Sequence, residues 1–163
     1  MCCKIHLKNL NKVLIIDLDD TLINTTLFKK TLFLCLAKES GLNFKEIQKI
    51  YDNIKKDGYK NLITKLCKAI SAKSKAKEKL LESIIYERIK EISLKKKIIK
   101  YVKNFSGIKI LLTLGDRKIQ SAKIKVLKEK WNIDRYFNKV IIINQDKLKF
   151  LKSFIKSDSF RFW

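Results

Sequence analysis

The chain has 163 residues, which is enough for one domain or for a small core that carries an inserted module. Hydrophobic residues make up 46% of the sequence, and this excludes a chain that is disordered by composition. No apolar run approaches the roughly 20 residues that a membrane span needs, so a membrane protein is not expected.

The amino-terminal residues and the cysteines bear on location and on metal binding. The sequence starts without the apolar stretch of a secretory signal, so we expect a cytoplasmic protein. The four cysteines form no Cys-x-x-Cys pair, and His6 is the only histidine, so a zinc site is not expected.

The formal net charge of +22 raises the question of a nucleic-acid partner. Only four of the basic residues are arginines, and the lysines are spread along every predicted helix. A surface that reads phosphates more often combines clustered arginines with aromatic residues. We therefore do not expect nucleic acid as the main partner, although the charge can attract small anionic substrates.

The predicted elements begin with a strand. Residues Val13–Ile16 form a continuous apolar run that ends in the acid Asp17, the pattern of a buried parallel strand. Helical periodicity follows, with predicted helices at Thr26–Ser40, Phe44–Lys56, Tyr59–Ile70, Lys79–Ile92 and Leu94–Phe105.

Strand patterns return after residue 105. The predicted order is a strand, a helix, a strand and a final helix, at Ile108–Thr113, Arg117–Trp131, Lys139–Ile143 and about Asp146 to Ile155. This order predicts an α/β fold with a parallel, Rossmann-like sheet. Its core would comprise residues 1–21 and 106–163, and residues 22–105 would form an inserted helical module.

Two carboxylates follow the first predicted strand. Asp17 and Asp19 are separated by one residue at the end of the sheet where α/β proteins bind ligands. If the chain leaves the strand direction after Asp17, both carboxylates can face one site, with Asp17 as nucleophile and Asp19 as acid/base. Grouped acids need a cation, and Mg²⁺ would also neutralise a phosphate. The alternative is a solvated acidic turn that caps a helix.

The pattern Asp17-x-Asp19-x-Thr21 after four apolar residues resembles the first motif of the haloacid dehalogenase-like (HAD) superfamily. The resemblance implies that Asp17 forms an aspartyl-phosphate and that Asp19 protonates the leaving group and then activates water. It also implies a Mg²⁺ site at Asp17 and the backbone carbonyl of Asp19. Thr21 closes the motif and is expected on the substrate side.

Two later segments resemble further motifs of the same family. The strand that ends at Thr113, followed by Gly115, resembles the second motif, in which a hydroxyl and neighbouring amides bind phosphate oxygens. Lys147, after the third predicted strand, resembles the lysine that neutralises nucleophile and phosphate. We prefer it to Lys149 because Phe150, at the third position after Lys147, then lies on the core side of the helix.

The family's fourth motif, a strand followed by Gly-Asp and a second acid, has no counterpart after Lys147. We therefore expect a core that is incomplete at its carboxyl end; if the chain is active, another acid such as Asp158 or Asp116 would have to complete the metal site, and Asp158 is a poor substitute. The predicted helical module lies where the family carries a C1-type cap, which closes over the site and selects the substrate. Its candidate substrate contacts are Lys29, Lys30 and Tyr59, although a solvated or core role is favoured for each.

Three hypotheses follow. The first is a Mg²⁺-dependent hydrolase of a small phosphorylated metabolite, in which Asp17 attacks phosphorus and Thr113 and Lys147 stabilise the phosphoryl oxygens. The second is a catalytically weak or inactive HAD-like fragment. The third is a basic nucleic-acid-binding domain. The sequence predicts neither the individual substrate nor an oligomeric state.

Overall fold

The structure is a computed structural model that describes residues 12–144 and 146–156. A short 3₁₀ helix, Ile133–Arg135, lies between two of the main elements. In chain order the strands and α-helices are β1 (Val13–Asp17), α1 (Thr25–Ser40), α2 (Phe44–Lys56), α3 (Leu62–Ser71), α4 (Glu78–Ile89), α5 (Lys96–Asn104), β2 (Ile108–Leu114), α6 (Arg117–Trp131), β3 (Lys139–Ile143) and α7 (Lys147–Lys156).

The sheet of the described residues has three parallel strands, with β2 between β1 and β3. Asp17 of β1 lies beside Leu112 of β2, and Leu112 lies beside Ile141 of β3. The apolar run of β2 is buried from Ile110 to Thr113, as expected for a central strand. The predicted α/β class with a parallel sheet is confirmed, and the carboxyl ends of the strands share one edge.

Helices α1–α5 form the inserted helical segment between β1 and β2. Within this segment α1 packs against α2 and α4, and α3 packs against the same two helices, while α4 also contacts α6 of the core. Buried apolar side chains from the inserted helices, β2 and α6 belong to one hydrophobic cluster. The inserted segment is therefore packed directly on the α/β core.

Local signals explain where helices begin. The predicted helix at Tyr59–Ile70 starts only at Leu62, because Asn61 has the left-handed φ of 55°. The last inserted helix also starts later than predicted, because Leu94 instead forms an isolated antiparallel bridge with Ile23. No helix in the described ranges is long and apolar enough to cross a membrane.

Gly107, immediately before β2, is expected to tolerate no side chain. Its φ is 146°, and a Cβ there would lie 2.4 Å from the carbonyl oxygen of Lys12. Strained backbone and a steric clash each cost about 1–3 kcal/mol, so Gly107→Ala should destabilise the protein by about 3 kcal/mol in urea unfolding. Gly41→Ala is the matched control, because Gly41 also has positive φ but open space around it. Equal losses for the two variants would contradict the clash.

Candidate active site

Asp17 and Asp19 line the same cavity at the carboxyl edge of the sheet. Asp17 is the last residue of β1, and the chain then turns through Asp20, whose φ is 56°. The turn is fixed by the buried Leu18, whose carbonyl accepts the N–H of Leu22 at 3.0 Å. This change of direction brings two carboxylates that are two residues apart to one site.

Lys147 is the direct partner of Asp17. Its Nζ lies 2.6 Å from Asp17 Oδ1, and the same oxygen accepts the N–H of Leu18 at 2.8 Å. Lys147 is the first residue of α7, a helix start that Asp146 caps by accepting the N–H of Lys149 at 2.8 Å. Lys149 itself is exposed. The structure therefore places Lys147, and not Lys149, at the carboxylate.

Asp19 is held by three side-chain donors. Lys123 Nζ and Thr25 Oγ1 each lie 2.6 Å from Asp19 Oδ1, and Gln120 Nε2 donates to Oδ2 at 2.7 Å. The Lys123 side chain is only 5% exposed. Gln120 and Lys123 belong to α6 of the core, whereas Thr25 is the first residue of α1. The α/β core and the inserted helices thus both fix the orientation of the Asp19 carboxylate.

The surroundings of Asp19 keep it ionised. Burial raises the pKa of Asp19, but the Lys123 ammonium and the hydrogen bonds from Lys123, Thr25 and Gln120 together lower it below the ordinary value of 3.8. At neutral pH the carboxylate is therefore ionised, which is the protonation state that a general base requires. The sequence predicts that Asp19 also acts as an acid. That role requires the protonated carboxyl group, which has to form during the reaction.

The pair of Asp19 with Lys123 should make stability depend on pH. The pKa of Asp19 is lower in the folded state than its ordinary value. The contribution of the Asp19–Lys123 pair to the free energy of unfolding is therefore present above about pH 3.8 and is lost as the pH falls through the folded-state pKa. At pH 7 Asp19→Asn leaves Lys123 buried without its counter-charge and should cost about 3 kcal/mol in urea unfolding, the low end for a buried pair because the Asp19 side chain is 25% exposed. This cost should shrink from pH 5 to pH 3.

A double variant provides the control for this pH dependence. Asp19→Asn combined with Lys123→Met removes both charges, so it should be less destabilised at pH 7 than Asp19→Asn alone. A cost of Asp19→Asn that stays constant from pH 7 to pH 3 would contradict the ion pair's contribution.

Gly115 and Asp116 form another wall of the cavity. A Cβ at Gly115 would lie 2.6 Å from Gln120 Nε2, so this glycine leaves room for the donor that holds Asp19. The Gly115 N–H donates to the carbonyl of Ile143 at 3.0 Å and is already used. Gly115 therefore acts by its small size, whereas the sequence suggested that amides at this turn bind phosphate.

Asp116 connects the core to the inserted helices. Its Oδ1 caps α6 by accepting the N–H groups of Lys118 and Ile119, and its Oδ2 accepts the N–H of Leu62 at the start of α3, at 3.0 Å. Its two oxygens are thus shared among three backbone donors. This engagement argues against Asp116 as the substitute metal ligand considered from the sequence. The other substitute, Asp158, lies outside the described residues.

Two of the predicted site residues lie off the cavity. Thr21 is half-buried and Thr113 is fully buried, and neither belongs to the cavity wall. Within the described part of the chain, Thr113 Oγ1 has no hydrogen-bond partner. The structure therefore brings together Asp17, Asp19, Gly115 and Lys147, but not Thr21 or Thr113.

The inserted helices supply the apolar side of the cavity, which has a volume of about 270 Å³. The rings of Phe33 and Tyr51 pack with their centroids 5.2 Å apart. Of the sequence candidates, Lys29 and Tyr59 reach the cavity, whereas Lys30 is exposed outside it. The wall residues from α1 to α4 are Thr25, Phe28, Lys29, Leu32, Phe33, Tyr51, Lys55, Tyr59, Leu62, Ile63, Leu66 and Ile85.

The oxygen chemistry at Asp17 fits a hard divalent cation in part. Asp17 Oδ2 receives no hydrogen bond or ion pair from the described residues, so one carboxylate oxygen is open. Both side-chain oxygens of Asp19 are occupied by donors, which leaves its backbone carbonyl as the group expected at a metal. The described ranges contain no cluster of three acidic, histidine or cysteine side chains that would enclose a metal. Mg²⁺ commonly binds through one or two carboxylates and takes its other ligands from water and from substrate phosphates, so the open carboxylate oxygen of Asp17 fits this ion.

No family model matches the sequence, and a search of curated proteins found no match. The fold, however, is similar to that of solved structures. A haloacid dehalogenase-like family hydrolase from Xanthomonas campestris has a TM-score of 0.64 at 15% identity, over 90% of this chain and 68% of that one. The HAD-hydrolase YfnB from Bacillus subtilis, solved bound to magnesium, has a TM-score of 0.58 at 14% identity, over 80% of this chain and 63% of its own. The chain thus has the fold of HAD-like hydrolases and spans about two thirds of their length.

Proposed function

We propose that this chain is a hydrolase of small phosphate monoesters that works through an aspartyl-phosphate on Asp17. The observation that carries the proposal is the pairing of Asp17 with Lys147, beside a second carboxylate, at one cavity of a HAD-like fold. The cavity volume of about 270 Å³ suits a small substrate. Its apolar walls would exclude water from the reacting groups.

Asp17 is the proposed nucleophile. Its carboxylate forms a bond to phosphorus while the bond from phosphorus to the ester oxygen breaks. The contacts of Oδ1 with Lys147 and the Leu18 N–H fix the plane of the carboxylate and leave Oδ2 open. Lys147 then offers its positive charge to the phosphoryl oxygens, which carry more negative charge in the transition state.

Asp19 is the proposed proton carrier. In the first step the protonated Asp19 gives its proton to the leaving oxygen, and in the second step the ionised Asp19 takes a proton from the water that attacks phosphorus and releases Asp17, which restores the protonated form. The ionised form held by Lys123, Gln120 and Thr25 suits the second step directly. Those three donors also keep the carboxylate oriented, which supports a positioning role for them.

Asp17 and the backbone carbonyl of Asp19 would hold Mg²⁺. When bound, the ion would neutralise charge on the phosphoryl group. The structure of YfnB was solved bound to magnesium, which supports Mg²⁺ as the ion.

Metal dependence gives the experiment that tests the proposal. Hydrolysis of phenyl phosphate by the full chain should be fastest with Mg²⁺ and should fall at least about a hundredfold in EDTA, because several kcal/mol of charge stabilisation are removed. Adding excess Mg²⁺ to the EDTA-treated sample should restore the rate. An equal rate with and without the metal, or no turnover by the folded protein, would contradict the proposal.

A further inference from the structure

Two of the four lysines on the cavity wall have no acidic partner. Lys147 pairs with Asp17 and Lys123 pairs with Asp19. Lys29 and Lys55 also line the cavity, but neither forms an ion pair with any described residue. Their ammonium groups instead lie near aromatic rings of the inserted helices. The cavity therefore keeps two cations that no carboxylate of the described chain neutralises.

These two lysines are grouped around Tyr51. Lys29 Nζ, from α1, lies 5.4 Å from the centroid of the Tyr51 ring. Lys55 is four residues after Tyr51 on α2, and its Nζ lies 6.0 Å from the ring of Tyr59. Residues four apart on a helix share a face. Both lysines thus belong to one side of the cavity, the side made by α1 and α2.

Tyr51 lines the same cavity as these lysines and the carboxylates of Asp17 and Asp19. Burial raises the pKa of Tyr51 to about 12, the charge of Lys55 opposes the increase, and the charge of Asp19 adds to it. Tyr51 therefore stays neutral at physiological pH, and its surroundings include both Lys55 and Asp19. A ligand with its phosphate at Asp17 would share this cavity with Lys29 and Lys55.

We propose that Lys29 and Lys55 form a second anion subsite, which selects a phosphate monoester with an apolar body and a second anionic group at its far end. This inference rests on the proposed phosphate site at Asp17. Lys29 is half-buried and Lys55 is exposed at the cavity wall, so Lys29 in particular would interact with an anion more strongly than a lysine on an open surface does. The aromatic and aliphatic wall between the two charged ends would accommodate the apolar body.

The test measures binding and needs no turnover. The probes are 4-carboxybenzylphosphonate and its neutral counterpart 4-carbamoylbenzylphosphonate, which are nearly equal in size and cannot be hydrolysed at phosphorus. Isothermal titration calorimetry would give Kd for both with the unmodified chain in Mg²⁺. We expect the carboxylate probe to bind about tenfold more tightly, which corresponds to about 1.4 kcal/mol.

Matched variants separate the subsite from the general charge of +22. Lys29→Met with Lys55→Met should reduce the preference to about one, whereas arginine at both positions should retain it. Lys30→Met with Lys56→Met removes two exposed lysines of the same helices that lie off the cavity, and should leave the tenfold preference intact.

Four results would contradict the proposed subsite. No preference in the unmodified chain, a preference that survives the Lys29 and Lys55 substitutions, or an equal loss in the Lys30 and Lys56 variant would overturn the subsite. Failure of both probes to bind would overturn it too. The phosphatase proposal is judged separately, by Mg²⁺-dependent turnover of phenyl phosphate, which carries no second anion.

Discussion

Replacing Asp17 with Asn is expected to reduce the hydrolysis of phenyl phosphate at least about a thousandfold, the equivalent of about 4 kcal/mol in the activation free energy. Asparagine preserves the size of the side chain, but its amide does not attack phosphorus. It also no longer neutralises Lys147, whose Nζ lies 2.6 Å from the carboxylate. The measurement is kcat/KM with saturating Mg²⁺, with folding of the variant checked by circular dichroism.

Asp20→Asn is the matched control for this substitution. Asp20 belongs to the same acidic run, but it lies off the cavity, and its Oδ1 accepts the N–H of Thr26 at 2.8 Å. Asparagine can accept the same hydrogen bond, so kcat/KM should stay within about threefold of the unmodified value. If the Asp17 and Asp20 variants lost activity to the same extent, Asp17 would not be the nucleophile.

Lys147→Met is expected to have the second-largest effect, a loss of about 10²–10³ in kcat. Removing one preorganised positive group from a phosphoryl-transfer site costs about 2.7–4 kcal/mol, by analogy with the loss of a single oxyanion donor. Methionine retains the apolar length of the lysine side chain, so the packing of α7 should persist. Steady-state kinetics on phenyl phosphate would show whether the loss falls on kcat or on KM.

Lys149→Met tests whether position on α7 matters. Lys149 is exposed two residues further along the same helix, and its loss should leave kcat within about twofold. A similar decrease in both variants would indicate a general charge effect in this lysine-rich chain, and would contradict the specific role of Lys147.

The sequence predicted the elements whose signals are local. Continuous apolar runs of strand length predicted β1–β3, and three- and four-residue spacing predicted the helices, including α2 and α6 with their observed bounds. Helix starts were less certain, because the left-handed φ of Asn61 delays α3 to Leu62 without any strong breaker in the sequence. The sequence could indicate Lys147 as a site residue because it lies in the first helical turn after β3.

The donors around Asp19 could not be predicted from the sequence. Gln120 and Lys123 lie 101 and 104 residues away from Asp19 along the chain. In the sequence alone they do not differ from other polar residues of an amphipathic helix. Their direction depends on how α6 packs beside the turn after β1. Thr25 directly precedes the predicted helix Thr26–Ser40, and only the fold shows that its hydroxyl donates to Asp19.

The position of Thr113 in the sheet explains why this predicted site residue does not line the cavity. The apolar run predicted a strand that ends at this threonine, but β2 continues to Leu114. Thr113 lies beside Ile142 of β3, inside the sheet and fully buried, while Leu114 and Gly115 reach the cavity. A buried hydroxyl without a partner costs about 1–3 kcal/mol. Its predicted contact with a phosphate oxygen stays a prediction.

The most direct test of the central claim is to trap the phosphorylated protein. The chain would be mixed with phenyl phosphate and Mg²⁺, quenched in acid during turnover, digested, and mapped by mass spectrometry. We expect a phosphoryl group on the peptide that contains Asp17, and none in the Asp17→Asn variant. Turnover without phosphorylation at Asp17, or phosphorylation at another residue, would contradict the aspartyl-phosphate mechanism.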